Sequence, residues 1–169
     1  MLRIIGAKGK IDNIDKFLKK IRQFSVENNL IIQIFNADLI YGKNHLVSAV
    51  KHAERAFNTN TNVTNSIEME ILLYASGERQ IKLAIPKMGV KIGNSKVALV
   101  IFKDKDLIEN STIDNLIKFI AFRRDDSVLE GNKNKIINFG ITEEEIVTVS
   151  ECKYGDLILE KVAMVDVIK

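Results

Sequence analysis

Two histidines, one cysteine, a run of three glutamates and a Gly-Lys segment are the residues whose types could do covalent, metal or phosphate chemistry. None is spaced for it. His45 and His52 stand seven residues apart, about 10 Å along a helix. That is too far for easy chelation, and no Cys, Asp or Glu completes a ligand set on that face. Both read as surface or rim residues. Gly6-Ala7-Lys8-Gly9-Lys10 lacks the Gly spacing and the Lys-Ser/Thr ending of a phosphate-cradling loop. Cys152 would need a partner base to act as a nucleophile, and a lone Cys near a terminal helix reads as a small buried hydrophobe. Glu143, Glu144 and Glu145 point to different sides of a helix, so they cannot act together and mark a helix start. No dinucleotide fingerprint or nucleophile elbow is present. No catalytic residue, metal or cofactor is expected.

The basic residues have a clearer pattern. Residues 1–60 carry ten Lys and Arg against five Asp and Glu, whereas residues 111–169 carry eight against eleven. A basic front attracts a phosphate backbone and an acidic back repels one. Over 43–57, Lys51 and Arg55 lie side by side, opposite the apolar stripe of Leu46, Val50, Ala53 and Phe57, and Lys43 precedes them. Arg79, Gln80 and Lys82 follow a second helix directly. Lys43, Lys51, Arg55, Arg79, Gln80 and Lys82 are the candidate RNA-binding residues. A solvated turn between two core helices is the competing reading of Arg79 to Lys82.

The elements that hold these residues follow from periodicity. Leu2 to Ile5 reads as a strand ended by Gly6. Asp12 caps a helix over roughly 13–28, carrying Ile14, Phe17, Leu18, Ile21 and Phe24. Leu30 to Phe35 is a second strand. Asn58 to Asn65 is a polar loop, and Asn65 with Glu68 has the pattern of a capping box. Ile67 to Ala75 is apolar on almost every face and therefore buried. Gly77 supplies its left-handed cap. Lys96 to Phe102 is a strand dense in Val and Ile, and Ile113 to Phe122 is a helix. Residues 125–135 read as loop. Thr142 to Glu145 opens a short helix, and Asp156 caps a last one over 157–168.

The composition, 46% apolar and 28% charged, is ordinary for a soluble globular chain. At 169 residues it fits one domain spanning 1–169. One cysteine suits a reducing, cytoplasmic setting. No window reads as a membrane span or signal peptide. The fold expected is α/β: a small mixed or antiparallel sheet of about four strands covered by helices. The helix between the first two strands favours one parallel crossover.

Three segments together carry a resemblance: FNADLIYGKNHLVSAVKHAERAF, SIEMEILLYASGERQIKLAI and KVALVIF. They resemble the PRPK-binding-protein family, the small kinase-associated subunit of the KEOPS (EKC) complex. The sharpest piece is Leu72-Leu73-Tyr74, then Ser76-Gly77, then Arg79-Gln80-Ile81. Pro86 departs from the family pattern and limits how far its helix runs. The resemblance implies a non-catalytic adaptor. It would bind the amino-terminal lobe of the complex's small atypical kinase/ATPase and capture the 3′ CCA end of tRNA, for threonylcarbamoyl modification of adenosine. A regulator of the kinase with no RNA contact is the alternative.

The last helix, LILEKVAMVDVI, is apolar on more than one face and so calls for a second partner surface. Leu157, Val162 and Val165 face the protein's own core, and Ile158, Leu159 and Met164 are placed wholly or partly outside that arc. Ile141, Ile146 and Val149 extend the patch. These six are the candidate kinase contacts.

Overall fold

The computed structural model describes residues 1–103 and 106–168. In chain order the elements are β1 (Leu2–Ile11), α1 (Ile14–Glu27), β2 (Ile31–Asn36), α2 (Gly42–Asn58), α3 (Ile67–Ser76), α4 (Ile81–Met88), β3 (Gly93–Phe102), α5 (Asn110–Phe119), β4 (Arg123–Arg124), α6 (Lys133–Phe139), α7 (Glu143–Ile146) and α8 (Tyr154–Ile168). They form two compact units. One takes residues 1–37 and 90–129, the other residues 38–89 and the chain from 130 onward.

The first unit holds the sheet, in the order β2-β3-β1-β4, with every neighbouring pair antiparallel. The expected parallel crossover is present in altered form. β1 and β2 run the same way and are joined by α1, but β3 lies between them, antiparallel to both. β3 takes the central place because Val97 to Ile101 is apolar at every position and fully buried. The face carrying Ile5, Ala7, Ile34, Leu99 and Ile101 packs with Phe17, Ile21 and Phe24 of α1 and with Ile113, Leu116 and Ile117 of α5 in one apolar cluster.

Gly6 does not end β1. A side chain at Gly6 would stand 2.5 Å from the Asp125 carbonyl and from Val128 Cγ2, and one at Gly9 would overlap the Phe122 ring. The glycines are there for close approach within a continuing strand. The α1 cap is Asn13, whose side chain accepts from the Lys16 N–H at 2.9 Å, and not Asp12.

The second unit is helical and built around α3. Its last seven residues, Glu70 to Ser76, are all buried. Gly77 ends it at φ 67° as a left-handed cap, as expected. The N-terminal cap differs from the expectation. Ser66, not Asn65, accepts from Met69 N–H, and the useful acid is Glu70 rather than Glu68. The buried Glu70 carboxylate accepts from the N–H of Val63, the N–H of Thr64 and the Thr64 hydroxyl. It ties the polar loop down from inside, which a cap at Glu68 could not do. A reciprocal capping box does occur, at Thr142 and Glu145. Residues 125–135 are not all loop: Asp126–Leu129 is a 3-10 turn burying Val128 and Leu129, and α6 begins at Lys133 under an Asn132 cap. Among the described residues no helix is long and apolar enough to cross a membrane.

Candidate functional site

α2 buries Leu46, Ala49, Val50, Ala53 and Ala56 and exposes Lys43, Lys51 and Arg55. Its rotation is pinned near the start by His45. That residue is buried, not on the rim. Its Nε2 donates to the Ala75 carbonyl at 2.8 Å, and its Nδ1 accepts the Tyr41 N–H at 3.2 Å. Burial, reinforced by Lys87 and Lys135 against the Ala75 bond, pushes its pKa down to about 4. The imidazole is therefore neutral and occupied at both nitrogens, and it serves as a staple between α2 and the end of α3.

Beyond Gly77 the chain turns through Arg79 and Gln80 into α4. Arg79 is exposed and donates from Nη1 to the Ile168 carbonyl at 3.4 Å. Gln80 holds the N-cap position of α4, with no side-chain cap bond. Lys82 is exposed. Lys87 Nζ donates to the Ser76 carbonyl at 2.7 Å and to Glu78 at 3.1 Å, and sits 4.2 Å over the Phe139 ring. It satisfies a terminal carbonyl of α3 and fixes where the polar turn emerges. Pro86 lies inside α4, which runs through it to Met88; the missing Pro86 N–H weakens the preceding turn, and the helix ends at Gly89, whose N–H donates to the Ile85 carbonyl.

The last turn of α8 joins these parts. The Asp166 carboxylate accepts from Tyr74 Oη, and is within hydrogen-bond distance of His52 Nδ1 at 2.7 Å and of the Arg55 guanidinium. Burial pushes the Asp166 carboxyl up. Hydrogen bonds from Tyr74, His52 and Arg55 outweigh that and hold it below the ordinary carboxylate range. Burial and the bond to Asp166 raise the Tyr74 phenol. Two predicted RNA-binding residues from different elements, Arg55 and Arg79, thus both reach the final turn of α8, at Asp166 and at Ile168. Lys51 lies one helical turn before Arg55. Lys43 is twelve residues before Arg55, about 18 Å along the axis, and is not part of the same group.

Sequence reasoning missed Asp166, His52 and Tyr74 as members of this cluster. A signal existed: Asp166 is an acid amid the apolar residues of α8, and Tyr74 brings a hydroxyl into the buried part of α3.

The proposed kinase contacts separate into three groups. Ile141 and Ile146 are each 4% exposed and Ile158 is fully buried, so none of the three forms an outer patch. Ile158 lies 100° from Leu157, inside the 140° arc that Leu157, Val162 and Val165 span. Its place in the core follows from that angle. Val149 and Leu159 are half-buried, and Met164 is 42% exposed. Val167 at 74% and Ile168 at 40% are exposed beside Met164 and were missed.

The remaining chemistry-bearing residues are engaged or isolated. Cys152 is exposed rather than buried, with its sulfur 3.2 Å from Ser150 Oγ. Glu145 accepts from Lys161 and from the Thr142 N–H, which hold its carboxyl below the usual range. Among the described residues no group of three potential ligands could hold a metal ion.

The family described as "Kinase binding protein CGI-121" matches residues 10–166 of the chain. "Regulatory protein Cgi121" of Methanocaldococcus jannaschii is 33% identical over 144 residues, which cover 83% of this chain and 86% of that protein. The match runs from the end of β1 to Asp166 in α8 and includes every residue of the Asp166 cluster. The chain belongs to the CGI-121 family of kinase-binding regulatory proteins.

Proposed function

We propose that this chain is a non-catalytic, cytoplasmic subunit of the KEOPS complex, with residues 1–169 acting as one functional domain. It binds the amino-terminal lobe of the complex's small atypical kinase/ATPase. It recruits tRNA through the single-stranded 3′ CCA end for threonylcarbamoyl-adenosine modification, and so meets the other subunits indirectly. The observation that carries the RNA half is the meeting of Arg55 and Arg79 at the last turn of α8, with Lys51 and Lys82 exposed nearby in sequence. Exposed cations grip phosphates, and Gln80 adds a side chain that can both donate to and accept from an unpaired base. Lys43 contributes charge from the far end of α2. The adaptor reading is supported by membership in a kinase-binding family with a regulatory relative, and by the structural engagement of both histidines.

The kinase half rests on α8. Met164, with Leu159, Val167 and Ile168, supplies its accessible apolar surface, and Val149 borders on the preceding loop. Ile141, Ile146 and Ile158 act from inside by holding that helix in place.

A regulator without RNA contact is favoured by one observation: Arg55 and Arg79 already have partners on α8. Binding of intact tRNA and of tRNA trimmed of its CCA end, each at two salt concentrations, separates the readings. Tight, salt-sensitive binding that needs the CCA end supports recruitment. Its absence leaves the kinase regulator.

A further inference from the structure

Three basic side chains stand in a row across three strands of the first unit. Lys8 of β1 is paired with Lys96 of β3 on one side and with Arg123 of β4 on the other. Directly paired residues of antiparallel strands project from the same face of the sheet. The neighbouring pair, Ala7 with Val97, belongs to the apolar cluster on the opposite face. The row is therefore on the face away from that core. The turn Asp126–Leu129 covers this face at Gly6, and the face opens at Lys8. The next pair along the strands brings Lys10 opposite Asn94, both exposed.

Like charges directly opposite one another on adjacent strands destabilise a sheet. Here only the middle cation of the row is neutralised. Lys8 Nζ is 2.6 Å from Asp125, whose carboxyl is held at about 2 by Lys8 and Ser127. Lys10 is paired with Asp12 at 3.0 Å. Lys96 and Arg123 are exposed and have no ion pair or hydrogen bond to another side chain among the described residues. Two uncompensated cations thus flank the row, two strand spacings apart, or roughly 10 Å. That spacing suits two separate phosphates of a polyanion better than one small anion. Both side chains are long and solvated, so they can adapt to a backbone without a shaped pocket.

We propose that Arg123, Lys8 and Lys96 form a second RNA-contacting surface, which holds the phosphodiester backbone of a tRNA away from its 3′ end. The proposal rests on the tRNA reading above, but on residues of the other unit. A contact of this kind carries no base sequence and acts through counterion release.

The test is fluorescence anisotropy with the full chain, intact tRNA and CCA-trimmed tRNA across a salt series. In Lys96→Ala/Arg123→Ala the slope of log affinity against log salt becomes shallower by about two units, and affinity at about 50 mM salt falls at least tenfold. The residual binding of trimmed tRNA disappears. The thermal midpoint stays the same or rises, because two facing like charges are gone. A wild-type slope and affinity in the folded double variant overturns this surface and leaves the CCA reading standing. No salt-sensitive binding of intact tRNA by the wild type overturns both. If the midpoint falls with the affinity, Lys96→Arg decides, since it keeps the charge: a lost slope in that variant also overturns the proposal.

Discussion

The carboxylate of Asp166, in the last turn of α8, accepts the hydroxyl hydrogen of Tyr74 from the buried helix α3. The same carboxylate holds Arg55 and meets His52, so one acid joins α8 to both α2 and α3. It also occupies the guanidinium proposed to meet RNA. The carboxylate thus has a structural role and competes with phosphate for Arg55.

Asp166→Asn separates these two effects. An amide still accepts from Tyr74, but it no longer draws Arg55 by charge. Stability falls by roughly 1–2 kcal/mol, the scale of a lost charged hydrogen bond. Affinity for tRNA rises severalfold as Arg55 is released. Because the folded carboxyl titrates below its unfolded value, its contribution is present above about pH 4 and fades as pH falls through the folded value. Urea denaturation and anisotropy on the same variant measure both effects. Weaker tRNA binding by folded Asp166→Asn would show that the acid presents Arg55 rather than competing for it.

His45 makes the protein sensitive to mild acid. Its pKa is about 4 in the folded state, against about 6.5 for a free histidine. Between those values the unfolded chain binds a proton that the folded chain does not. Stability therefore rises with pH through this window and is lost as pH falls from 6.5 towards 4. The full effect is about 3 kcal/mol. Urea midpoints at several pH values between 4 and 7 check it. In His45→Gln the protein is less stable at pH 7, but the slope in this window flattens. An unchanged slope in that variant would assign the acid sensitivity to another group.

How far the fold could be read depended on whether the deciding contact was local. The stripes of α1, α2 and α5 and the Val-rich β3 were legible, because 3.6-residue and two-residue periods are properties of the segment itself. The Gly77 cap was legible for the same reason. The length of β1 was not. Gly6 and Gly9 look like breakers until Val128 and Phe122, far along the chain, are brought against them. The place of β3 between β1 and β2 is likewise a long-range choice. At the site, the basic residues of α2 and of the 79–82 turn could be listed, but their meeting point could not. It depends on Asp166 and Ile168, more than a hundred residues beyond Arg55. The burial of Ile158 was legible from its helical angle alone.

Glu70 offers a test of the corrected loop anchor. Its carboxylate is buried and receives two backbone N–H groups and one hydroxyl. Glu70→Ala leaves those donors without their acceptor and costs about 2–4 kcal/mol. Asn65→Ala, which would have mattered under the expected capping box, changes stability by less than about 0.5 kcal/mol. Ser66→Ala costs about 1 kcal/mol through the true cap. Thermal denaturation of the three variants gives the order Glu70, Ser66, Asn65. A larger loss at Asn65 than at Ser66 would restore the capping box.

The kinase surface is tested by charge placed on either side of α8. Taking Met164 as zero, Val167 lies 60° to one side and Ile168 40° to the other, so the three form a single stripe about 100° wide. Ile158 lies 120° from Met164 and is fully buried. Met164→Glu and Val167→Glu put a carboxylate on the exposed stripe, where water solvates it in the free protein. The fold survives, and the complex with the kinase is lost because the interface would have to bury that charge unpaired. Ile158→Glu buries the charge in the protein's own core and costs several kcal/mol, so it fails to fold and says nothing specific about the kinase. Co-elution with the kinase on size-exclusion chromatography, with circular dichroism as the folding control, distinguishes the two faces. Normal co-elution of a folded Met164→Glu/Val167→Glu double variant would move the kinase site off this stripe. The half-buried pair Leu159 and Val149 would then be the next positions to charge, because they lie outside the stripe and retain accessible apolar surface.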